Sequence, residues 1–164
     1  MTLQITKLKE EDRGHVRALE LFIMKEYFEA TLHRKWDDLN QNFVDQLGAT
    51  SKGAFEHYLD SGLSFVAKED KQIVGFVFAQ MIEYMSNIPK AVWIENLGVH
   101  PSYRRRGIGQ QLMKKVAQEA KRKGAKAVTS AIMPDNPRSV MLHKKVGFFM
   151  DARKIAFLDL DSYK

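Results

Sequence analysis

Cysteine is missing from this 164-residue sequence, which excludes disulfide bonds, thiolate zinc sites and a cysteine nucleophile. All apolar runs are shorter than the roughly 18 residues that span a membrane, and no basic-then-apolar secretory leader opens the chain. Apart from His143, the histidines show no metal-ligand spacing, and no serine–histidine–aspartate signature is recognisable. We therefore expect a cytoplasmic protein that holds no metal and contacts no membrane.

The charged residues are abundant and unevenly placed. The formal net charge is +6, and the segment 104–126 carries most of its charges as lysine and arginine, with Glu119 as its single acid. Segment 20–45 is acidic instead. Two charged segments of opposite sign suggest two ligands of opposite charge, although charged residues most often form solvated helix faces.

Hydrophobic periodicity predicts the secondary structure. Alternating apolar residues indicate strands, whereas apolar residues three or four positions apart indicate helices. We expect strands over 3–8, 63–68, 73–82, 92–99, 125–133 and 154–160, and helices over 10–32, within 37–59, over 107–123 and over 136–147. This order predicts one α/β domain over 1–164, with a mixed, mostly antiparallel sheet flanked by helices.

The segment Arg104-Arg105-Arg106-Gly107-Ile108-Gly109 lies where a predicted strand turns into a predicted helix. The first N–H groups of a helix are free to bind an anion, and glycine allows the backbone to approach a phosphate. A Walker loop would continue with Lys-Ser/Thr, and a Rossmann turn would have a third glycine at position 112. The sequence has glutamine at 110 and 111 and leucine at 112, so the alternatives are another phosphate loop or a basic surface turn.

The pattern Arg-x-x-Gly-x-Gly over 104–109 resembles the acetyl-CoA loop of the GNAT superfamily of N-acetyltransferases. A second motif, Asn-x-x-Ser-x-x-Leu-His-x-Lys-x-Gly-Phe over 136–148, resembles a helix of the same family. The family usually has alanine at the position of Ser139 and tyrosine at that of His143. The resemblance is specific over 73–148 and implies the GNAT fold and acetyl-CoA as cosubstrate.

The resemblance implies a cofactor site with three parts. Strand backbone groups would pair with the pantetheine arm as an added strand does, the glycine loop would hold the pyrophosphate, and the start of the next helix would contact the cofactor. The residues implied are Leu97, Gly98, Val99, Arg104, Arg105, Arg106, Gly107, Ile108, Gly109, Gln110, Asn136 and Ser139. Asn136 also suits a helix cap, with Pro137 in the first turn.

Two residues are candidates for proton transfer. Strand alternation predicts that Glu95 shares a face with Trp93, Leu97 and Val99, and a carboxylate among apolar neighbours is a stronger base. Its place also resembles a glutamate of the polyamine acetyltransferase branch. His143 stands at the position of the family's tyrosine, which protonates the leaving thiolate. Imidazole can also donate a proton, so His143 either replaces the tyrosine or only lines the pocket.

The family places its acceptor site beside the first helices and the loop after the third strand. Here this region is acidic and aromatic, which favours a small amine with extra positive charge, although a peptide or protein amine stays open. The acceptor residues implied are Glu26, Tyr27, Trp36, Glu83 and Tyr84. Whether the protein forms a homodimer is left open.

Three functions compete. The leading hypothesis is transfer of acetyl from acetyl-CoA to a primary amine, by direct attack in a ternary complex. The alternative is a catalytically inactive GNAT-fold regulator that binds acyl-CoA, which the histidine at position 143 favours. Binding of nucleic acid through 104–126 is a weaker hypothesis, because a basic stripe without interleaved aromatic residues is poor support for it. We therefore expect no nucleic-acid partner.

Overall fold

The computed structural model describes residues 2–156 and 158–163. It contains one five-stranded sheet with the strand order β1-β2-β3-β4-β5. Successive strands are antiparallel, except that β4 and β5 are parallel. The elements are β1 Leu3–Lys7, α1 Arg13–Ala30, α2 Gln41–Gln46, α3 Phe55–Asp60, β2 Phe65–Glu69, β3 Gln72–Met85, β4 Ile88–Val99, α4 Ile108–Arg122, β5 Ala127–Ser130 and α5 Pro137–Val146.

Apolar side chains fill both faces of the sheet. On one face, the buried stripe of α4 packs against β2, β3 and β4, with Leu112 and Val116 fully buried. On the other face, Val16 and Leu19 of α1 and Phe55 of α3 pack against the phenylalanines of β3. The predicted mixed sheet with helices on its faces is therefore confirmed. The prediction succeeds because the period-2 pattern of a strand and the period-3.6 pattern of a helix each identify the side chains that are buried.

The predicted last strand, 154–160, is wrong for the residues that the structure describes. Residues 154–156 and 158–160 form no strand, and Phe157 lies outside the described residues. The side chains of Ile155, Leu158 and Leu160 are exposed. The apolar pattern records strand propensity, but a strand also needs a hydrogen-bonded neighbour, and these residues have none in the described chain.

One feature of the sheet positions the site. The parallel pairing of β4 with β5 runs from Ala91↔Ala127 to Ile94↔Ser130 and ends there, because β5 ends. Strand β4 continues to Val99, and its residues 96–99 pair only with β3 among the described strands. The two parallel strands therefore separate beyond Ser130 and leave one side of β4 open.

Candidate active site

A β-bulge interrupts β4 at the start of this opening. Asn96 is opposite Phe78, whereas Ile94 is opposite Ala79, so Glu95 is an extra residue on β4. A bulge reverses the alternation of side chains on the bulged strand. Consequently Leu97 and Val99 pack in the same core cluster as Val92 and Ile94, beneath α4.

The bulge corrects the predicted surroundings of Glu95. Trp93 and Leu97 do not share a face of the sheet, since Leu97 packs under α4 with Ile94, the neighbour of Trp93. Glu95 is exposed rather than surrounded by apolar side chains. Its carboxylate accepts a hydrogen bond from Trp93 Nε1 at 2.6 Å. The prediction from simple alternation failed because the bulge adds a residue that the sequence does not mark. Residues 95 and 96 are both polar, so nothing in the apolar pattern shows which of them is the extra one.

Further polar and aromatic residues lie around Glu95. Burial, followed by the nearby charge of Glu95, raises the pKa of Tyr58 in α3 to about 12. The adjacent His57 contacts Gln80 through Nε2 at 2.7 Å, and Gln80 is the β3 partner of Trp93. Sequence reasoning missed this group, because only the register of β3 against β4 and the packing of α3 bring its members together.

A buried carboxylate fixes the backbone beside the bulge. Glu20 of α1 is 2% exposed and accepts hydrogen bonds from Asn96 Nδ2 at 2.6 Å and from Thr50 Oγ1 at 2.5 Å. The backbone N–H and the hydroxyl of Ser51 donate to it as well. Four donors satisfy the buried carboxylate, as its burial demands. The network joins α1 and the 49–51 turn to the residue that follows Glu95.

Gly107 and Gly109 are required in the loop for different structural reasons. Gly107 has φ +77°, and a Cβ there would meet only Gln111 Nε2, at 4.0 Å. Its backbone is therefore open to a ligand at the N-terminus of α4. A Cβ on Gly109 would lie 3.0 Å from Leu142 Cδ2, so Gly109 lets α5 pack against α4. Gly98 likewise lies against Ile23 and Phe76, where a Cβ would come within 2.7 Å of both.

The three loop arginines differ in their partners. Arg104 forms a bidentate ion pair with Glu26 of α1, at 2.7 and 2.5 Å, and its Nε donates to the Val99 carbonyl at 3.0 Å. Arg106 pairs with Glu69, the last residue of β2. Arg105 is exposed and makes no ion pair within residues 2–156 and 158–163. Of the three guanidinium groups, that of Arg105 is the one free to meet a phosphate.

The start of α5 has the predicted cap. Asn136 Oδ1 accepts a hydrogen bond from Ser139 N at 3.0 Å. One turn after Ser139, His143 is 6% exposed, and both of its ring nitrogens have partners. Nδ1 lies 2.7 Å from the Ser139 carbonyl, and Nε2 lies 2.7 Å from Ser130 Oγ. Ser130, which sequence reasoning did not select, is thus joined to His143.

The five predicted acceptor residues do not form one cluster. Both carboxylate oxygens of Glu26 bind Arg104, so Glu26 is not a free anion for a substrate. Trp36 packs edge-on against Phe28. Glu83 and Tyr84 are exposed near the hairpin end of β3. Tyr27 donates to Asp135 Oδ2 at 3.3 Å, and desolvation together with Asp135 raises its pKa. This hydrogen bond links Tyr27 of α1 to the loop before α5.

In residues 2–156 and 158–163, no group of three histidine, aspartate or glutamate side chains is placed to hold a metal ion. Among the described helices, none combines the length and the apolar character that crossing a bilayer requires.

A sequence profile described as "Protein of unknown function (DUF1999)" matches residues 3–164. The chain belongs to the DUF1999 family. Aminoglycoside N(6')-acetyltransferase type 1 of Salmonella typhimurium strain LT2 is 31% identical over 97 residues, which are 57% of this chain and 67% of the relative. Thialysine N-epsilon-acetyltransferase of Mus musculus is 35% identical over 75 residues, or 46% of this chain and 44% of the relative.

Solved structures agree with the sheet topology. The aminoglycoside N-acetyltransferase AAC(6')-Iy in complex with CoA superposes with a TM-score of 0.72 at 24% identity, over 97% of this chain and 95% of that one. With the two motifs and the acetyltransferase relatives, this fold identifies a GNAT N-acetyltransferase. The prediction of family, fold and enzyme class is confirmed, and nothing in the comparisons favours the inactive alternative.

Proposed function

We propose that this protein transfers the acetyl group of acetyl-CoA to the primary amine of a small cationic acceptor, by direct attack in a ternary complex. The observation that carries the proposal is the opening between β4 and β5. The glycine turn and the start of α4 lie on one side of this opening. The Glu95 carboxylate lies beside the point where β4 and β5 begin to separate. Two ligands can therefore meet at the bulge from opposite faces of the sheet.

The cofactor would lie along the free side of β4. The amide groups of pantetheine can pair with the backbone of Leu97–Val99, as an added strand does. The pyrophosphate would then meet Gly107 and the N–H groups at the start of α4, from Ile108 to Gln110, where the helix dipole favours an anion. Arg105 adds a positive charge. Asn136 keeps its side-chain N–H₂ for the cofactor while its oxygen caps α5.

The acceptor would approach Glu95 from the α1 and α3 face. An alkylammonium has a pKa near 10.4 and must lose a proton before it attacks a thioester. Glu95 is exposed and oriented by Trp93 Nε1 at 2.6 Å, so it can accept that proton directly or through one water. Trp93 also offers an aromatic ring to a cation.

The names of the relatives support a small cationic acceptor. They denote acetyltransferases of aminoglycosides and thialysine, and another acts on L-2,4-diaminobutyric acid. Each of these molecules has more than one amine or ammonium group. A cytoplasmic location belongs to this proposal, because acetyl-CoA is available there and a chain without cysteine needs no oxidising compartment.

The test is an acetyl-CoA assay that detects the released thiol with spermidine, diaminobutyrate, lysine derivatives, aminoglycosides, neutral amines and a peptide. We expect turnover of cationic amines that weakens at high salt. Glu95→Gln should lower kcat at neutral pH by roughly 10²-fold and leave acetyl-CoA affinity unchanged. Glu11→Gln removes an exposed carboxylate from the turn before α1 and serves as the matched control. No turnover with any amine, or equal losses in both variants, would contradict the proposal.

A further inference from the structure

A serine and a histidine form a hydrogen-bonded pair at the point where β4 and β5 separate. Ser130 is the last residue of β5 and lies opposite Ile94, the neighbour of Glu95. Its hydroxyl is 2.7 Å from His143 Nε2. The imidazole is almost completely buried, with the ring of Phe148 packed edge-on at 4.9 Å. Ser130 is partly exposed, so it is the member of the pair that the opening can reach.

The partners of the ring determine where its proton resides. His143 Nδ1 lies 2.7 Å from the Ser139 carbonyl, closer than the Ser139 hydroxyl at 3.4 Å, and a carbonyl oxygen can only accept a hydrogen bond. Nδ1 therefore carries the hydrogen. In the neutral imidazole Nε2 is then an acceptor, and the Ser130 hydroxyl donates to it. The lone pairs of Ser130 Oγ remain available to a proton from outside the pair.

The same atoms also suit the charged imidazole. If Nε2 gains a proton, it becomes a donor to Ser130 Oγ, while Nδ1–H keeps the Ser139 carbonyl as its partner. The Ser130 hydroxyl hydrogen is then free to point into the opening. The pair can thus accept a proton in one state and donate it in the other without moving a heavy atom.

We propose that Ser130 carries protons between the reacting atoms and His143, so that the serine replaces the tyrosine hydroxyl expected at position 143. The inference rests on the proposed function. After the amine attacks, the nitrogen of the tetrahedral intermediate gives a proton to Ser130 Oγ, and the Ser130 hydroxyl proton passes to His143 Nε2. The C–S bond then breaks with its electron pair on sulfur, and the proton returns through Ser130 to the thiolate.

Counted from the neutral amine, the products are the amide and the free thiol of CoA, and the Ser130–His143 pair returns to its starting state. The proton that Glu95 takes from the ammonium is released to solvent. Ser130 is a catalytic residue, because its hydroxyl meets the reacting nitrogen and sulfur. His143 is a positioning residue that acts through Ser130 and holds the proton between the two steps. Glu95 keeps the separate task of deprotonating the incoming ammonium.

The kinetic test compares single and double variants of the pair. Ser130→Ala should lower kcat by roughly 10²-fold and leave the KM and the dissociation constant of acetyl-CoA unchanged. His143→Gln can keep a hydrogen bond to Ser130 but cannot take up a proton, so we expect a similar loss. The double variant should be no slower than either single variant, because residues that act as a unit are not additive.

Two controls separate chemistry from folding. Ser130→Thr keeps the hydroxyl and should retain most of the activity, whereas Ser162→Ala removes a hydroxyl from the exposed tail and should match the wild type. Circular dichroism of each variant verifies the fold. Wild-type kcat in Ser130→Ala would overturn this inference alone, whereas a wild-type protein without any acetyl-CoA turnover would overturn the proposed function with it.

Nitrogen NMR of the imidazole gives a readout that does not depend on activity. In the neutral wild-type protein, the ¹⁵N shifts of His143 should show the hydrogen on Nδ1 and a hydrogen-bonded acceptor at Nε2. The Nε2 signal should move in Ser130→Ala and stay in Ser130→Thr. A neutral ring with its hydrogen on Nε2 would overturn the proton path, whatever the kinetics show.

Discussion

Exchange of the Glu26 carboxylate tests what Arg104 does in the glycine loop. The guanidinium of Arg104 holds both oxygens of Glu26 and the Val99 carbonyl, so we expect it to shape the loop rather than to bind phosphate. Glu26→Gln should then lower CoA affinity, although it makes the protein more positive. If Arg104 bound phosphate directly, the same change would release its guanidinium and raise CoA affinity.

The geometry of the pair sets the magnitude. Its side chains are 25% and 35% exposed, which places it between exposed ion pairs, worth about 0–1 kcal/mol, and buried ones, whose disruption costs about 3–5 kcal/mol. Two parallel charge-assisted hydrogen bonds favour the middle of that range. We expect a coupling of about 1–2 kcal/mol. Because 1.4 kcal/mol is a factor of ten, the loss of CoA affinity should be up to roughly 30-fold.

The assay is a double-mutant cycle of Glu26→Gln and Arg104→Gln. Urea unfolding gives the coupling in stability, and calorimetry gives the CoA dissociation constant of each variant. Glu29→Gln is the matched control, since it removes the same charge from the next turn of α1, where the ion-pair partner of Glu29 within residues 2–156 and 158–163 is Lys25 at 3.9 Å. Higher CoA affinity in Glu26→Gln than in Glu29→Gln would refute the reasoning.

Three further predictions concern stability. The Arg122 hydrogen bond lowers the pKa of Glu119 to about 2, so Glu119→Gln should lower the free energy of unfolding by about 1 kcal/mol at pH 7. Urea unfolding should show this difference vanish as the pH falls from about 4.3 towards 2. Gly98→Ala should destabilise by about 1–3 kcal/mol through overpacking, whereas Gly14→Ala, with nothing within 4 Å of its Cβ, should stabilise α1 by about 0.5–1 kcal/mol in thermal unfolding. Because the Tyr58 pKa is raised to about 12, its contribution is complete below about pH 10 and lost towards pH 12, and unfolding of Tyr58→Phe should lack that decline.

The sequence predicts the elements better than their partners. Alternation and helical spacing locate the strands and helices, because burial of one face imposes the period directly on the residues. The glycine turn at the start of α4 is predicted from two glycines at the junction of a strand and a helix, and Gly107 has a positive φ there. The prediction of a strand over 154–160 failed because strand propensity does not supply a neighbouring strand.

The site was harder to predict than the fold. The charge pattern suggests two ligands of opposite sign, and it does not reveal that Glu26 of the acidic segment and Arg104 of the basic segment bind each other across 78 positions of sequence. No local pattern records such a pair. The Ser130–His143 contact and the bulge at Glu95 depend in the same way on how β5 meets α5 and on the register of β3 against β4.

The bulge has a consequence for how such an enzyme can change. On a regular strand, side chains point alternately into the two cores on either side of the sheet. A substitution of any strand residue near the site therefore disturbs packing. Glu95 is surplus to the pairing of β4 with β3, and its side chain contributes to neither apolar cluster. Substitution of Glu95 should therefore cost activity but little stability, whereas deletion of this residue would turn Leu97 and Val99 away from α4 and disrupt the core.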